Sequence, residues 1–168
     1  MLKFVGLLLL FSSVALLGFG AAASLGERAQ YLSTLVSFWR QFAIQLERLR
    51  ATPRQLVYRL AQQQEYNSNR FVQLLADGFA EGESFQEAME RTLSACPELN
   101  EMGVVQPLRG LEDVIGRQPL ESQLAALAGV TALLQEQHQH WQEESRRKGS
   151  LYRRLGLLGG GLLTVLFI

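Results

Sequence analysis

A chain of 168 residues has room for one domain of the commonest size plus short appendages. Its sixteen acids balance its sixteen Lys and Arg side chains, which removes the net positive field that nucleic-acid binding draws on. The single cysteine, Cys96, excludes an internal disulfide framework and a cysteine-based zinc site.

The charges are confined to the middle of the chain. Phe4 to Gly26 carries none, Leu155 to Ile168 carries none, and apart from Lys3 every charged side chain lies between. At about 1.5 Å per residue the first run extends roughly 34 Å as a helix, enough for a hydrocarbon core of about 30 Å. It also has the marks of a secretory signal, with Lys3 ahead of a leucine stretch and Ala21-Ala22-Ala23 ahead of Ser24 as a small-residue cleavage site. Arg146, Arg147, Lys148, Arg153 and Arg154 favour the first reading. Basic side chains beside a membrane segment stay on the cytoplasmic side, so this cluster holds the domain inside and argues for an uncleaved anchor. The last run is short: its 14 residues extend about 21 Å as a helix. Spanning then needs snorkelling arginines or a thinned bilayer, and a partly inserted anchor is the alternative. The expected organisation is an N-terminal transmembrane helix over 1–26, a cytoplasmic domain over 27–150 and a C-terminal membrane anchor over 151–168.

Helical spacing recurs through the whole middle, and no stretch alternates convincingly over strand lengths. Leu32, Leu35, Phe38, Trp39, Phe42, Leu46 and Leu49 repeat at threes and fours and continue out of the first apolar run. Thr52 caps a second helix, with Pro53 at its first position, Gln55 completing a capping-box pattern, and Leu56, Val57 and Leu60 inward. Tyr66-Asn67-Ser68-Asn69 is a polar break. A third helix carries Phe71, Leu74, Leu75 and Phe79 and stops near Gly82. Ser84 and Glu87 form a second capping box opening a helix with Phe85, Ala88, Met89 and Leu93, ended by Pro97. Pro107 begins a fifth, with Leu108, Leu111, Val114 and Ile115, closed by Gly116. The last and longest has a seam at Leu120, Leu124, Leu127, Thr131, Leu134, His138 and Trp141 that suits antiparallel packing. The expected fold class is all-α, a bundle of about six helices.

No catalytic constellation assembles from these residues. His138 and His140, two apart on a helix, point in different directions and cannot share a metal as an i, i+4 pair could. Glu143 and Glu144 face apart. Gly159-Gly160-Gly161 lies inside the apolar tail with no following lysine, which argues against a phosphate-cradling loop. Gly156 and Gly160 instead have a G-x-x-x-G spacing, and Gly18 with Ala22 offers a similar small face, so the anchors have surfaces for close helix packing. Charge is uneven within the domain. Six bases stand against Glu47 and Glu65 from Arg40 to Arg70, and nine acids against Arg91 and Arg109 from Asp77 to Asp113. Two helical layers neutralising each other would explain this. The sharper reading is an acidic docking face with Glu81, Glu83, Glu87 and Glu90 for a basic partner.

The closing stretch Tyr152-Arg153-Arg154-Leu155-Gly156-Leu157-Leu158-Gly159-Gly160 resembles that of the stage III sporulation protein AB family of endospore-forming bacteria. Gly18-Phe19 with Leu25, Arg28, Leu32 and Leu35 is similar to its exit from the first membrane helix; Thr52-Pro53, Phe79-Ala80-Glu81-Gly82, Glu87-Ala88, Gly116 and Gln123 also fall in place. The chain departs from the family pattern at Leu46-Glu47-Arg48-Leu49, Pro119 and Met89. The resemblance implies a fold like the cytoplasmic domain of type II secretion and type IV pilus platform proteins. It also implies a subunit of a channel-like complex in the mother-cell membrane around the forespore, beside a secretion-type ATPase of the same operon. The expectation is thus a non-enzymatic membrane platform without cofactor or metal. The runner-up is an exported helical binding protein cut after Ala23, and a small membrane-bound enzyme is a third class.

Overall fold

The computed structural model describes the backbone over residues 2–166 and the side chains of Ser24 and of residues 26–148. Among the described residues it is entirely helical. In chain order the elements are α1 (Leu2–Leu49), α2 (Pro53–Ala61), α3 (Arg70–Ala80), α4 (Phe85–Ala95), α5 (Glu98–Glu101), α6 (Val105–Arg109) and α7 (Leu120–Leu166). The chain divides into two compact units, Tyr31–His138 on the one hand and Met1–Gln30 with Gln139–Ile168 on the other.

The unit Tyr31–His138 is built on the α1 stripe. Leu32, Leu35, Phe38, Trp39 and Phe42 are fully buried and Leu46 nearly so, whereas Leu49 ends the stripe half exposed. Trp39 is therefore core. Its ring meets Phe38 edge-on at 5.0 Å, Phe42 at 5.6 Å and Phe71 of α3 at 6.2 Å, and Phe38 meets Tyr66 at 5.7 Å. Edge-to-face pairs add about 0.5–1.5 kcal/mol each to what area burial supplies. Tyr66 lies in the stretch expected as a polar break, yet its ring is fully buried. Its hydroxyl lies 3.0 Å from Ser37 Oγ, which donates to Glu65 at 2.7 Å. Burial first, partly offset by the Ser37 bond, pushes the Tyr66 phenol above its ordinary value.

Local chemistry sets the helix starts. Thr52 accepts the Gln55 N–H at 3.4 Å with Pro53 at the first position, which supplies one half of the expected box. Asn69, buried, accepts the Val72 N–H at 3.2 Å and so caps α3. At α4 both halves of the box form: Glu87 N–H donates to Ser84 Oγ at 3.3 Å and Ser84 N–H to Glu87 Oε2 at 2.8 Å. α3 ends at Ala80, and Gly82 turns the chain at φ +92°. α3 packs against both α2 and α4.

Three expectations are corrected. The described helices number seven rather than about six, because α5 forms after Pro97. Pro107 does not open a helix; it is the third residue of α6, still in the first turn where its missing N–H costs nothing. From Gly110 the chain proceeds in turns to Gly116 at φ +78°, burying Leu111 and Ile115 without a helix. The inward seam of α7 is Gln123, Leu127, Val130 and Leu134, one residue off the expected line at alternate steps. Gln123 causes the rotation. Its Oε1 accepts the Gly116 N–H at 3.1 Å and its Nε2 donates to the Gln118 carbonyl at 2.6 Å, which turns this face inward and Leu120 and Leu124 toward the edge.

No helix is long and apolar enough, among the described residues, to cross a membrane. All of the first uncharged run except Ser24 and Gly26, and all of the second, have side chains outside the described residues.

Candidate docking surface

Segments distant in sequence meet at one end of the unit Tyr31–His138, around Pro53 and Gly116. A Cβ placed on Gly116 would stand 3.5 Å from Pro53 Cγ. Two clefts share these residues. The larger, about 410 Å³, adds Leu46, Arg50, Leu120, Glu121 and Gln123. The smaller, about 260 Å³, adds Arg54, Phe79, Glu83, Phe85, Ile115 and Arg117. The smaller has an apolar floor under a charged rim, since Phe79, Phe85 and Ile115 are buried while Arg54 and Arg117 are exposed. Such a concavity suits a side chain of a docked partner more than a small-molecule substrate.

The larger cleft begins at a strained residue. Arg50 adopts φ +48° as the first residue past α1, and its N–H returns to the Leu46 carbonyl at 3.1 Å. Glycine is usual in this left-handed cap, and an L-residue there costs about 1–2 kcal/mol. Nothing in the sequence pattern announces it.

The four glutamates expected to form a docking face have different surroundings. Glu81 and Glu83 share one cation, Arg91, each at 3.2 Å, and Arg91 also donates to the Leu74 carbonyl at 3.2 Å. Gly78 makes this possible, because a Cβ there would stand 2.8 Å from both Arg91 Nη2 and the Ala88 methyl. Glu87 serves the α4 cap, and hydrogen bonds from the Ser84 backbone and hydroxyl hold its carboxyl below the usual range. Glu90 lies exposed on the outer side of α4. With two carboxylates on one guanidinium and a third on a helix cap, the corner between α3 and α4 keeps a net negative charge.

The two charged stretches do not neutralise each other. Arg91 pairs with Glu81 and Glu83, Arg109 with Glu112 at 4.0 Å and Arg117 with Asp113 at 3.3 Å, all within the later stretch. Glu81, Glu83, Glu112 and Asp113 thus pair with arginines of their own stretch rather than with those from Arg40 to Arg70. Arg40 bonds instead to Gln135 at 3.2 Å. Glu112 is the most enclosed of these acids, and burial raises its carboxyl above the usual range against the pull of Arg109.

In the other unit, Arg28 lies over the Trp141 ring at 5.1 Å. Of the basic cluster, Arg146, Arg147 and Lys148 are exposed, and Lys148 holds the Glu144 carboxyl below its usual range. Arg153 and Arg154, and the packing residues Gly18, Ala22, Gly156 and Gly160, lie outside the described side chains.

Among the described residues no three His, Cys, Asp or Glu side chains come together to hold a metal. Cys96 is fully buried and its thiol is pushed up to about 11 by that burial, so it is a packing residue with little thiolate at neutral pH.

The model of one protein family, stage III sporulation protein AB, matches residues 3–168. The chain belongs to that family. It is thus a sporulation protein. No curated protein and no solved structure matches it. Some of the residues on which the sequence resemblance rests converge in space: Thr52, Pro53, Phe79, Gly116 and Gln123 line the paired clefts, whereas Leu32, Leu35, Glu87 and Ala88 do not. That convergence was invisible in the one-dimensional pattern, where the same residues read as separate caps and turns.

Proposed function

We propose that the chain is a non-enzymatic membrane platform subunit of a sporulation channel-like complex. It sits in the mother-cell membrane around the forespore with its bundle in the cytoplasm, and docks a secretion-type ATPase and other channel subunits. The observation that carries the reading is that the bracketing helices α1 and α7 are 48 and 47 residues long and each includes one uncharged run. Such helices fit a role of tying a folded body to a bilayer at both ends. Continuity of α1 through Ala23 and Ser24 also favours retention of the first run over cleavage after Ala23, since a processing site must be reached in extended form. The ATPase meets the end of the bundle around Pro53 and Gly116, where the clefts open beside the negative corner of Glu81, Glu83 and Glu87.

Three sets of measurements test this. Intact mass of the mature chain should show Met1 or its simple removal, with the protein resisting carbonate extraction from membranes; Ser24 as first residue would establish the exported reading. Copurification with the ATPase should fall on Glu81→Lys and stay unchanged on Glu136→Lys. Equal retention by both variants, each folded by circular dichroism, would remove the corner from the docking surface. Cysteines at Leu2, Ser68 and the C-terminus, with Cys96 replaced, map sidedness.

A further inference from the structure

α3 packs against both α2 and α4, and the starts of α2 and α4 share the smaller cleft. The outward face of α2 carries Arg54, Tyr58 and Arg59, all exposed. Tyr58 is 57% exposed and is the single aromatic among the exposed large apolar side chains described. The helical steps of 100° per residue place Tyr58 between the two arginines, and neither arginine has an ion-pair partner among the described residues. An amphipathic ring flanked by arginines on a helix surface is the composition that interfaces favour. The outward face of α4 carries Glu87, Glu90 and Ser94, at i, i+3 and i+7, all exposed. Ser94 is small, and its hydroxyl is turned back to the Glu90 carbonyl at 2.9 Å, so it presents no long side chain beside Glu90. One face is thus basic and aromatic, and the other is acidic with a small residue next to its glutamates.

We infer that the occupant of the α2 edge is the α4 edge of a second copy of this chain. Arg54 and Arg59 of one copy pair with Glu87 and Glu90 of the next, and the Tyr58 ring lies over Ser94. The contact joins two unlike surfaces, so it is heterologous and leaves each copy with one edge open for a further neighbour. Copies held in one membrane share an orientation, which a head-to-tail contact between unlike edges satisfies; this clause rests on the platform reading, and the surface complementarity does not. The charge segregation then has a use. Arg54 and Arg59 of one copy and Glu87 and Glu90 of the next neutralise each other between copies, since no ion pair joins these four among the described residues of one copy.

The test uses the full chain in native membranes with Cys96→Ser to remove the buried thiol. Two single-cysteine variants, Tyr58→Cys and Ser94→Cys, are tagged differently and co-expressed, and disulfide formation is induced with a mild oxidant. The expected result is a cross-link between the two differently tagged chains and none in membranes holding either variant alone. Adding Arg54→Glu and Arg59→Glu to the Tyr58→Cys chain should abolish the band, and Glu90→Arg in the Ser94→Cys chain should restore it in part. A band with Tyr58→Cys alone would mean that like edges pair, and overturns the head-to-tail contact; so does the absence of any band. Membrane retention and ATPase copurification are scored on the same samples. Their loss with the cross-link preserved sinks the platform reading, and their survival without the cross-link sinks the self-association alone.

Discussion

Replacing Gly78 by alanine sets two effects of similar size against each other. Alanine at an interior helix position is favoured over glycine by about 1 kcal/mol. In this fold the new methyl would stand 2.8 Å from the Ala88 Cβ and 2.8 Å from Arg91 Nη2, and closer still to Glu83 Oε2. Carbon atoms rest comfortably at about 3.5–4.0 Å, so α3 and α4 must separate by more than half an ångström or so. Arg91 and Glu83 can swing aside at the cost of a partly exposed ion pair, about 0–1 kcal/mol. The Ala88 methyl cannot, because it is fixed to the α4 backbone. Overpacking of this kind costs about 1–3 kcal/mol, and with the propensity gain subtracted the net loss is about 0–2 kcal/mol. That corresponds to a fall in Tm of up to roughly 8 °C for a chain this long. Thermal melts followed by circular dichroism in detergent measure it. Ala88→Gly in the same chain should recover more than the sum of the single changes predicts, because the two methyls compete for one space. A Gly78→Ala protein more stable than the parent would refute the close approach of α3 and α4, and with it the shared Arg91 geometry.

Ser84→Ala should destabilise by about 1 kcal/mol through loss of the α4 cap, read by urea titration. Glu87 titrates lower in the folded chain, so its contribution is present above the unfolded carboxylate range and lost as pH falls through the folded value; Ser84→Ala should flatten that acid limb. Glu112 behaves in the opposite sense. Its carboxyl is raised, so its favourable state exists at low pH and is lost as pH rises through the folded value, and Glu112→Gln should gain on the parent as pH rises from the ordinary carboxylate range, with equal slopes refuting its burial. Cys96 should resist an aromatic disulfide reagent at pH 8 in the folded chain and react fully in urea; rapid native labelling would contradict its enclosure. Arg50→Gly should be neutral or stabilising by up to about 1 kcal/mol, since relief of the left-handed strain outweighs the glycine entropy term.

Helix existence and helix starts were legible because they rest on interactions three or four residues long. Thr52-Pro53 and the Ser84–Glu87 box are complete within one turn, and each forms where its pattern stands. What one turn cannot contain was misread. Tyr66 sits in a run of polar residues whose local chemistry says loop, but its ring is bought into the core by a partner 29 residues earlier, Ser37. Gln123 looks like an ordinary surface residue of α7 until the Gly116 turn is folded beneath it and supplies one donor and one acceptor. The seam of α7 followed leucines in the sequence, and the fold followed that glutamine instead. A polar side chain with two fixed backbone partners outweighs a leucine that can sit at an edge with half its surface covered.

The same limit governs the charges. Counting along the chain, the arginine-rich stretch at +4 and the acid-rich stretch at −7 offset each other in large part, which suggests mutual pairing across a layer. The order of packing prevents it. α3 carries only Arg70 and Asp77 as charged side chains and packs against both α2 and α4, so away from the small cleft, where Arg54 and Glu83 share the lining, the two stretches are held apart by a nearly neutral helix. Opposite charges separated by the width of a helix, about 10 Å, are about one Debye length apart at physiological salt and attract weakly through solvent. Each edge therefore keeps its own field at the surface. Arginines and glutamates so displayed contribute little to the stability of the chain that bears them. Their effect falls instead on what approaches from outside, in orientation and in encounter rate, and a surface with two unlike faces orients its neighbours in one sense only.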